Sequence, residues 1–481
     1  MKLPEFFLNH FRTLMDHEEF NAFVASFDGS RHYGLRLNTL KVNKDDFLKL
    51  THMKLSEIPW VSEGFYYEEG DAPGKHPYYH AGLYYIQEPS AMMPARMLSP
   101  CPGERVLDLC AAPGGKTTQL GSFMKNKGLI VSNDISPKRV KALVKNVELM
   151  GLTNTLVTNE TPQRLAEAFP EFFDKILLDV PCSGEGMFRK DREAVQSYTR
   201  FKSTECVAMQ RDIMEKALTM LRPGGSIVYS TCTFNPEENE RNIEDFMARY
   251  GLTVKRLVPS GGWEPSRSSW TESGDEALSG GLRMWPHRGG GEGHFVCRLE
   301  KSGEAAGSAS RETLYADSEY TSGISDFTDN SDSLIGKSDY TSPEAEKAAS
   351  AFFGFISENM RISLSGVYHL RGGSLYLLPP YLDAAPALRW EKAGLYLGEY
   401  QKGRFEPSQS LVMACRSHHF KRVISFKADD HNVLRYLKGE TLMTDGDKGY
   451  TLVCVDGFPL GWAKQENGIL KNLYPKGWRM M

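Results

Sequence analysis

Long apolar runs are missing from this chain of 481 residues. Nothing approaches the roughly 18 consecutive apolar residues that a membrane-spanning helix requires. The start, Met1-Lys2-Leu3-Pro4-Glu5-Phe6-Phe7, also lacks the apolar core and cleavage site of a secretory signal. Both absences point to a cytoplasmic protein without a membrane partner. Cysteine is sparse: eight are scattered without the close, regular spacing of a disulfide framework, so a reducing compartment leaves them as thiols. No metal centre is indicated. Cys415 and His418 form a lone Cys-x-x-His, and a structural zinc site needs a second such pair. An excess of basic charge, the ordinary mark of a nucleic-acid-binding chain, is missing too, since the net charge is −4.

The distribution of that charge matters more than its sum. Residues 301–345 carry nine acids against three bases, which leaves the rest of the chain at +2. This permits RNA binding without demanding it. The same stretch is rich in Ser, Thr, Gly and Asp and poor in aliphatics, so it reads as a flexible acidic linker that cannot offset its ordering entropy. The length predicts about three domains.

Residues 1–95 read as a small α+β module. Helical periodicity over Phe6–Met15 and Phe20–Phe27 is followed by a strand candidate, Leu35–Lys41, and by an aromatic stretch from Tyr78 to Glu88. Aromatics interleaved with bases can stack on nucleobases, although most of these suit a core equally well. From 96 to 300, strand candidates (Arg105–Leu109, Leu129–Asn133, Thr155–Thr158, Lys175–Asp179, Ser226–Thr231 and Phe295–Leu299) alternate with helix candidates. The helices are expected at Lys116–Lys125, Pro137–Met150, Thr204–Leu221 and Pro236–Tyr250. Such alternation predicts an α/β fold, a doubly wound, mostly parallel sheet with helices on both faces. The remainder opens on a helix, Pro343–Asn359, and continues as β-like runs punctuated by glycine, which predicts a β-rich, barrel-like appendage. Basic residues gather there, among them Arg416, Lys421, Arg422, Lys464 and Lys471.

Val106–Thr117 reads as a strand, a Gly-rich turn and a helix start. Gly114 and Gly115 have no Cβ to keep a polar ligand from the backbone N–H groups. The turn has neither the Walker spacing nor G-x-G-x-x-G. Asp134 ends the second strand, where a carboxylate can accept from ribose hydroxyls. An adenosine-bearing cofactor is indicated, S-adenosylmethionine ahead of NAD.

Cys182, in Leu178-Asp179-Val180-Pro181-Cys182-Ser183-Gly184, and Cys232, in Ser230-Thr231-Cys232-Thr233, each stand where a strand ends and a polar loop begins. Carbon 5 of cytosine is a poor nucleophile until a thiolate adds to carbon 6. An acid must assist that addition, and a base must then remove the carbon-5 proton. Asp179, Cys182 and Cys232 could supply thiol, acid and base from one sheet edge. Inert, core-filling thiols are the commoner fate of free cysteine; two polar loop contexts at neighbouring strand ends argue against it here.

The chain resembles the RNA cytosine-5 methyltransferases of the Sun (NSUN-like) family, and most closely the bacterial 16S rRNA methyltransferase F (RsmF-like) group. The matching residues include Ile86-Gln87-Glu88-Pro89-Ser90-Ala91, Leu107–Thr117, Asp134 with Arg139, Leu178–Gly186 and Ser230–Thr233. Gly403–Ser408 and the tail Lys471–Gly477 match in the C-terminal part. The resemblance implies a Rossmann-like methyltransferase domain (96–300) between an N-terminal RNA-binding module (1–95) and two C-terminal parts. These are an RsmF-type module (346–420) and a PUA-like RNA-binding module (421–481), the linker letting the last one reach RNA at a distance. It implies S-adenosylmethionine held by Cys110, Ala111, Ala112, Pro113, Gly114, Gly115 and Lys116 with Asp134 and Arg139, and bordered by Asp179. It makes Cys232 the nucleophile, has Cys182 help product release and puts Asp179 on the cytosine. The implied partner is 16S rRNA; a monomer is the default expectation, which the resemblance does not supply. One departure stands out: the group's aspartate after the third strand is replaced by Asn159-Glu160-Thr161. A tRNA substrate, or an RNA-binding assembly factor that has lost catalysis, are the alternatives.

Overall fold

The computed structural model describes residues 1–190, 195, 198, 203–303, 323–326, 335–382 and 387–480. At its centre lie five parallel strands, β1 (Arg105–Asp108), β2 (Leu129–Asn133), β3 (Thr155–Thr158), β4 (Phe173–Asp179) and β5 (Leu221–Thr231). Two antiparallel strands flank them, β6 (His294–Glu300) beside β5 and β7 (Trp390–Ala393) beside β3. The spatial order is β6-β5-β4-β1-β2-β3-β7. The chain therefore runs outward from β1 to β3 and then returns to place β4 on the other side of β1. Between the carboxyl ends of β1 and β4 that reversal opens a crevice, the place where such sheets bind ligands.

Side-chain alternation sorts the strands onto two buried faces. Val106, Ile130, Leu177 and Val228 pack with Leu120 and Met124 of α1 (Gly115–Met124). Leu107, Val131, Ile176, Leu178 and Ile227 face the other way. There they meet Ile213 and Met214 of α3 (Ser203–Met220) and Ile243 and Phe246 of α4 (Glu240–Tyr250). Between them in sequence, α2 (Pro137–Leu149) lays Val140, Leu143 and Val147 on Val157. Helix α4 starts four residues later than the predicted Pro236. Asn239 has left helical backbone (φ −115°, ψ −105°) because its side chain is tied to Thr231 Oγ1 at 2.6 Å and the Thr233 carbonyl at 3.0 Å.

In the N-terminal module the expected strand ends at Leu37, not Lys41. Asn38 turns the chain, donating to the carbonyls of Gly82 and Met150 at 2.9 and 2.8 Å. The next lysine, Lys41, is buried and donates to the Ala81 and Leu149 carbonyls. In the C-terminal part, α5 (Pro343–Asn359) begins with Pro at N1 and Ser342 accepting from Ala345 N–H. A five-stranded sheet spans Val423–Asn472. Most of the 301–345 segment lies outside the described residues. Gly323–Asp326 and Ile335–Tyr340 within it pair with the strand Ile362–Arg371.

The expectation that the last module ranges at a distance is corrected. Val433, Tyr436, Val453 and Val455 share one apolar core with Leu35, Leu37 and Phe65 of the N-terminal module. Tyr78 donates to Asp456 at 2.9 Å, Lys145 of α2 donates to the Gly477 carbonyl at 3.1 Å, and Arg416 holds the carbonyls of Leu40 and Lys41. Burial of apolar surface shared between modules outweighs the freedom a tether would give. Among the described residues no helix is long and apolar enough to cross a membrane, and no cluster of three or more metal-ligating side chains occurs.

Candidate active site

A cavity of about 450 Å³ opens at the crevice between β1 and β4. Its sheet-side wall is the turn after β1. Cys110, Ala111, Ala112, Pro113, Gly115 and Lys116 line the cavity, and Gly114 N–H closes the turn onto the Ala111 carbonyl at 2.8 Å. Gly114 sits at φ +108°, where a Cβ would also come within 3.0 Å of Leu143 Cδ1. At Gly115 a Cβ would meet Tyr85 at 3.1 Å and Gln87 at 3.3 Å. Both positions therefore call for glycine, one for its conformation and both for their space.

Asp134 braces this turn from behind. Its carboxylate accepts from Ala112 N–H at 3.3 Å and Ser136 N–H at 2.9 Å, and pairs with Arg139 at 3.3 Å. Arg139 in turn donates to the Ala112 carbonyl. Asp108 is buried below, accepting from Thr117 Oγ1 at 2.7 Å while its Oδ1 has no partner. Burial pushes its pKa up to about 7. Asn159 donates to the Asp134 carbonyl at 2.8 Å, and Glu160 accepts from Arg389 N–H beside β7 at 2.7 Å.

At the end of β4, Asp179 faces the cavity. Lys116 Nζ lies 2.6 Å from its Oδ2, Ser230 Oγ donates to Oδ1 at 2.8 Å, and His294 Nε2 stands 3.7 Å from Oδ1. Burial works to raise the Asp179 pKa, but the Lys116 ammonium and His294 together hold it well below the usual carboxylate range. Lys116 stays protonated: burial works against its charge and Asp179 more than restores it. In the resting protein Asp179 is thus an anion. In that state it accepts hydrogen bonds, and Lys116 beside it holds a proton.

The two loop cysteines meet. Cys182 Sγ and Cys232 Sγ are 3.3 Å apart, well beyond the roughly 2.05 Å of a disulfide bond. Cys232 lines the cavity. Its neighbour raises the Cys182 pKa well above the ordinary thiol value, burial adding to the effect. The loops that carry them are fixed to each other. Ser183 Oγ and Thr233 Oγ1 are 2.8 Å apart, and Gly186 N–H donates to the Cys232 carbonyl at 2.8 Å.

Comparison with known proteins places this geometry. The family described as 16S rRNA methyltransferase RsmB/F matches residues 95–300. The RsmF N-terminal domain matches 3–89, the RsmF first C-terminal domain 354–415 and the methyltransferase RsmF PUA domain 423–480. The ribosomal RNA small subunit methyltransferase F of Klebsiella pneumoniae is 32% identical over 98% of this chain and 96% of its own length. That of Shewanella oneidensis is 31% identical with the same two coverages. The chain belongs to the RsmF family. Among solved structures, a methyltransferase homolog protein from Pyrococcus horikoshii is 31% identical, with a TM-score of 0.53, over 59% of this chain and 91% of that one.

Several side chains that support this RsmF-family site were not singled out by sequence reasoning. Glu185 is buried beside the Cys232 loop, accepting from Thr233 Oγ1 and Phe234 N–H at 2.8 Å each. Burial, and to a lesser degree Glu238, push its pKa up to about 7. Glu238 accepts from Ser183 N–H at 3.0 Å and Gln210 at 3.0 Å. Arg36 reaches from the N-terminal module to the Gly115 carbonyl and Thr118 Oγ1 at 2.9 Å each. The far wall of the cavity is built by that module, with Arg31, His32, Tyr33, Tyr67 and Tyr85. Glu185 did carry a signal, lying three residues after Cys182 in a matched motif. In the N-terminal wall, Tyr85 lies in the aromatic stretch read from the sequence, whereas Arg31, His32, Tyr33 and Tyr67 carried no signal, since their place depends on docking.

Proposed function

We propose that this chain methylates carbon 5 of cytosine in 16S ribosomal RNA, with S-adenosylmethionine as methyl donor, through a covalent bond between Cys232 and carbon 6 of the base. Cys232 lines one cavity with the Lys116–Asp179 pair and the glycine turn, and a second thiol, Cys182, stands 3.3 Å from it; that arrangement carries the reading.

The residues present suit the cofactor. The wall from Cys110 to Gly115 offers backbone with small side chains, and the unpartnered Asp108 Oδ1 lies in a residue that lines the cavity. Cys110–Lys116 would hold it together with Asp134 and Arg139, which also keep the turn in shape. When bound, it supplies an electrophilic methyl group. Asp179, as an anion, accepts from the exocyclic amine of the cytosine, and Lys116 keeps it charged. The Cys232 thiolate adds to carbon 6 and so renders carbon 5 nucleophilic.

The thiol pair then explains release. Two thiolates 3.3 Å apart repel, so the resting pair keeps a proton on Cys182. Once Cys232 has become a thioether, that repulsion is gone. Cys182 can then give its proton to solvent, and the thiolate so formed takes the carbon-5 proton while Cys232 leaves as a thiolate; the proton passed to solvent balances the hydrogen that the methyl group replaces. Expression of Cys182→Ala in cells, followed by purification under denaturing conditions, tests this. RNA covalently retained through Cys232 is expected, and sequencing it should return 16S rRNA; Cys232→Ala is the control. An adduct on tRNA would overturn the substrate, and absence of any adduct would overturn the role of Cys182.

A further inference from the structure

The cavity that holds Cys232 is not closed by the methyltransferase sheet. Its open side is walled by Arg31, Tyr33 and Tyr67 of the N-terminal module. Past them lies a second groove of about 260 Å³, and Tyr33, Tyr67 and Ile86 line both. Every residue lining this second groove belongs to the N-terminal module. The rings of Tyr33 and Tyr67 are 5.6 Å apart at 37°, and the Arg31 guanidinium stands 5.5 Å over the Tyr33 ring. Tyr33 is held by its hydroxyl, which donates to Glu69 at 2.8 Å. Both rings are only half-buried, and Lys75 at the groove is exposed. The reaction uses none of these groups.

We infer that this groove takes the base of the nucleotide next to the target cytosine, stacked on the Tyr33–Tyr67 pair, with Arg31 and Lys75 available to its phosphates. The inference rests on the functional reading above and extends it to the flanking RNA. Three physical points favour it. A cytosine can reach Cys232 only out of its stack, which leaves a neighbouring base without a partner. RNA-binding proteins capture such bases on aromatic faces and guanidinium planes, whatever the base. Arg31 is exposed, so its guanidinium can leave the ring for a phosphate without breaking a buried contact. A cofactor in this groove would instead have to turn away from the Cys110–Lys116 wall.

The test measures methyl transfer by the full chain to unmethylated small ribosomal subunits, varying the RNA at saturating S-adenosylmethionine. The double variant Tyr33→Leu/Tyr67→Leu keeps apolar bulk and removes the π faces; Tyr33→Phe/Tyr67→Phe keeps the faces and removes the hydroxyls. The leucine pair should raise KM for RNA about tenfold, as expected for losing a base stack, a larger change than in kcat or in the cofactor KM. The phenylalanine pair should behave like the wild type. An unchanged RNA KM in an active leucine pair would overturn the subsite while leaving the function intact. A rise in the cofactor KM would assign the groove to the cofactor, and equal damage in both pairs would make the tyrosines structural. Wild-type chain inactive on every RNA would instead bring down the functional reading itself.

Discussion

The ends of β1 and β4–β5 face the same cavity but are built in opposite ways. After β1 the carboxylates lie under the wall: Asp108 is buried below the turn, and Asp134, just past β2, is bonded to Ala112 and Ser136 N–H behind it. Apart from Lys116, which reaches Asp179, what that edge offers is backbone and small side chains. After β4 and β5 the backbone is bonded away, as in the Gly186 to Cys232 link, and what is offered is side chains, namely Asp179 and Cys232, with Cys182 3.3 Å from Cys232. A wall of backbone binds through shape and tolerates changes in chemistry provided glycine stays where it is needed. A cluster of side chains tolerates almost none, because each group has a different part in one reaction.

The largest expected effect tests the second half of this contrast. Cys232→Ala should lower methylation by more than about a thousandfold, since removing a nucleophile removes the pathway, while S-adenosylmethionine binding measured by calorimetry stays unchanged. Substantial residual turnover would mean that another group attacks carbon 6. A smaller effect should come from the backbone wall. Gly114→Ala places a side chain at φ +108°, and a cost of about 1–1.4 kcal/mol should appear as roughly tenfold weaker cofactor binding, with RNA affinity unmoved. If kcat falls and cofactor affinity does not, the two edges are not functionally separate. The smallest effect concerns stability. Asp108 has its pKa raised by burial to about 7, so between roughly pH 4 and 7 the folded chain binds a proton that the unfolded chain has released. Stability from this group is therefore lost as pH rises through that window. Thermal melts at pH 5 and pH 8 should show a drop that is smaller by a few degrees in Asp108→Asn; parallel drops would mean that the buried carboxyl is not the cause.

Much of the catalytic sheet was legible because its strands are buried on both faces and read as short apolar runs, Leu129–Asn133 and Lys175–Asp179 among them. The cysteine loops were legible for a related reason, since polar residues follow each run abruptly. The charge state of Asp179 was not. It depends on Lys116 and His294, which are 63 and 115 positions away in the chain and reach it only through the fold. Strand β7 was equally hidden, because Trp390-Glu391-Lys392-Ala393 has no pattern that names its neighbour. Asn38 and Asn239 shortened two expected elements through side-chain bonds to distant carbonyls and hydroxyls, a competition that local periodicity does not record.

Strand β7 also bears on how the chain is made. It closes the outer edge of β3, yet it leaves the ribosome more than two hundred residues after β3 does. Throughout that interval the nascent catalytic sheet carries an open rim of unpaired backbone groups, the usual template for wrong partners. A product that terminates near residue 300 would contain every cysteine-loop residue and still lack its own edge. Synthesis order thus gives the C-terminal third a duty separate from RNA: it finishes the sheet on which the chemistry stands.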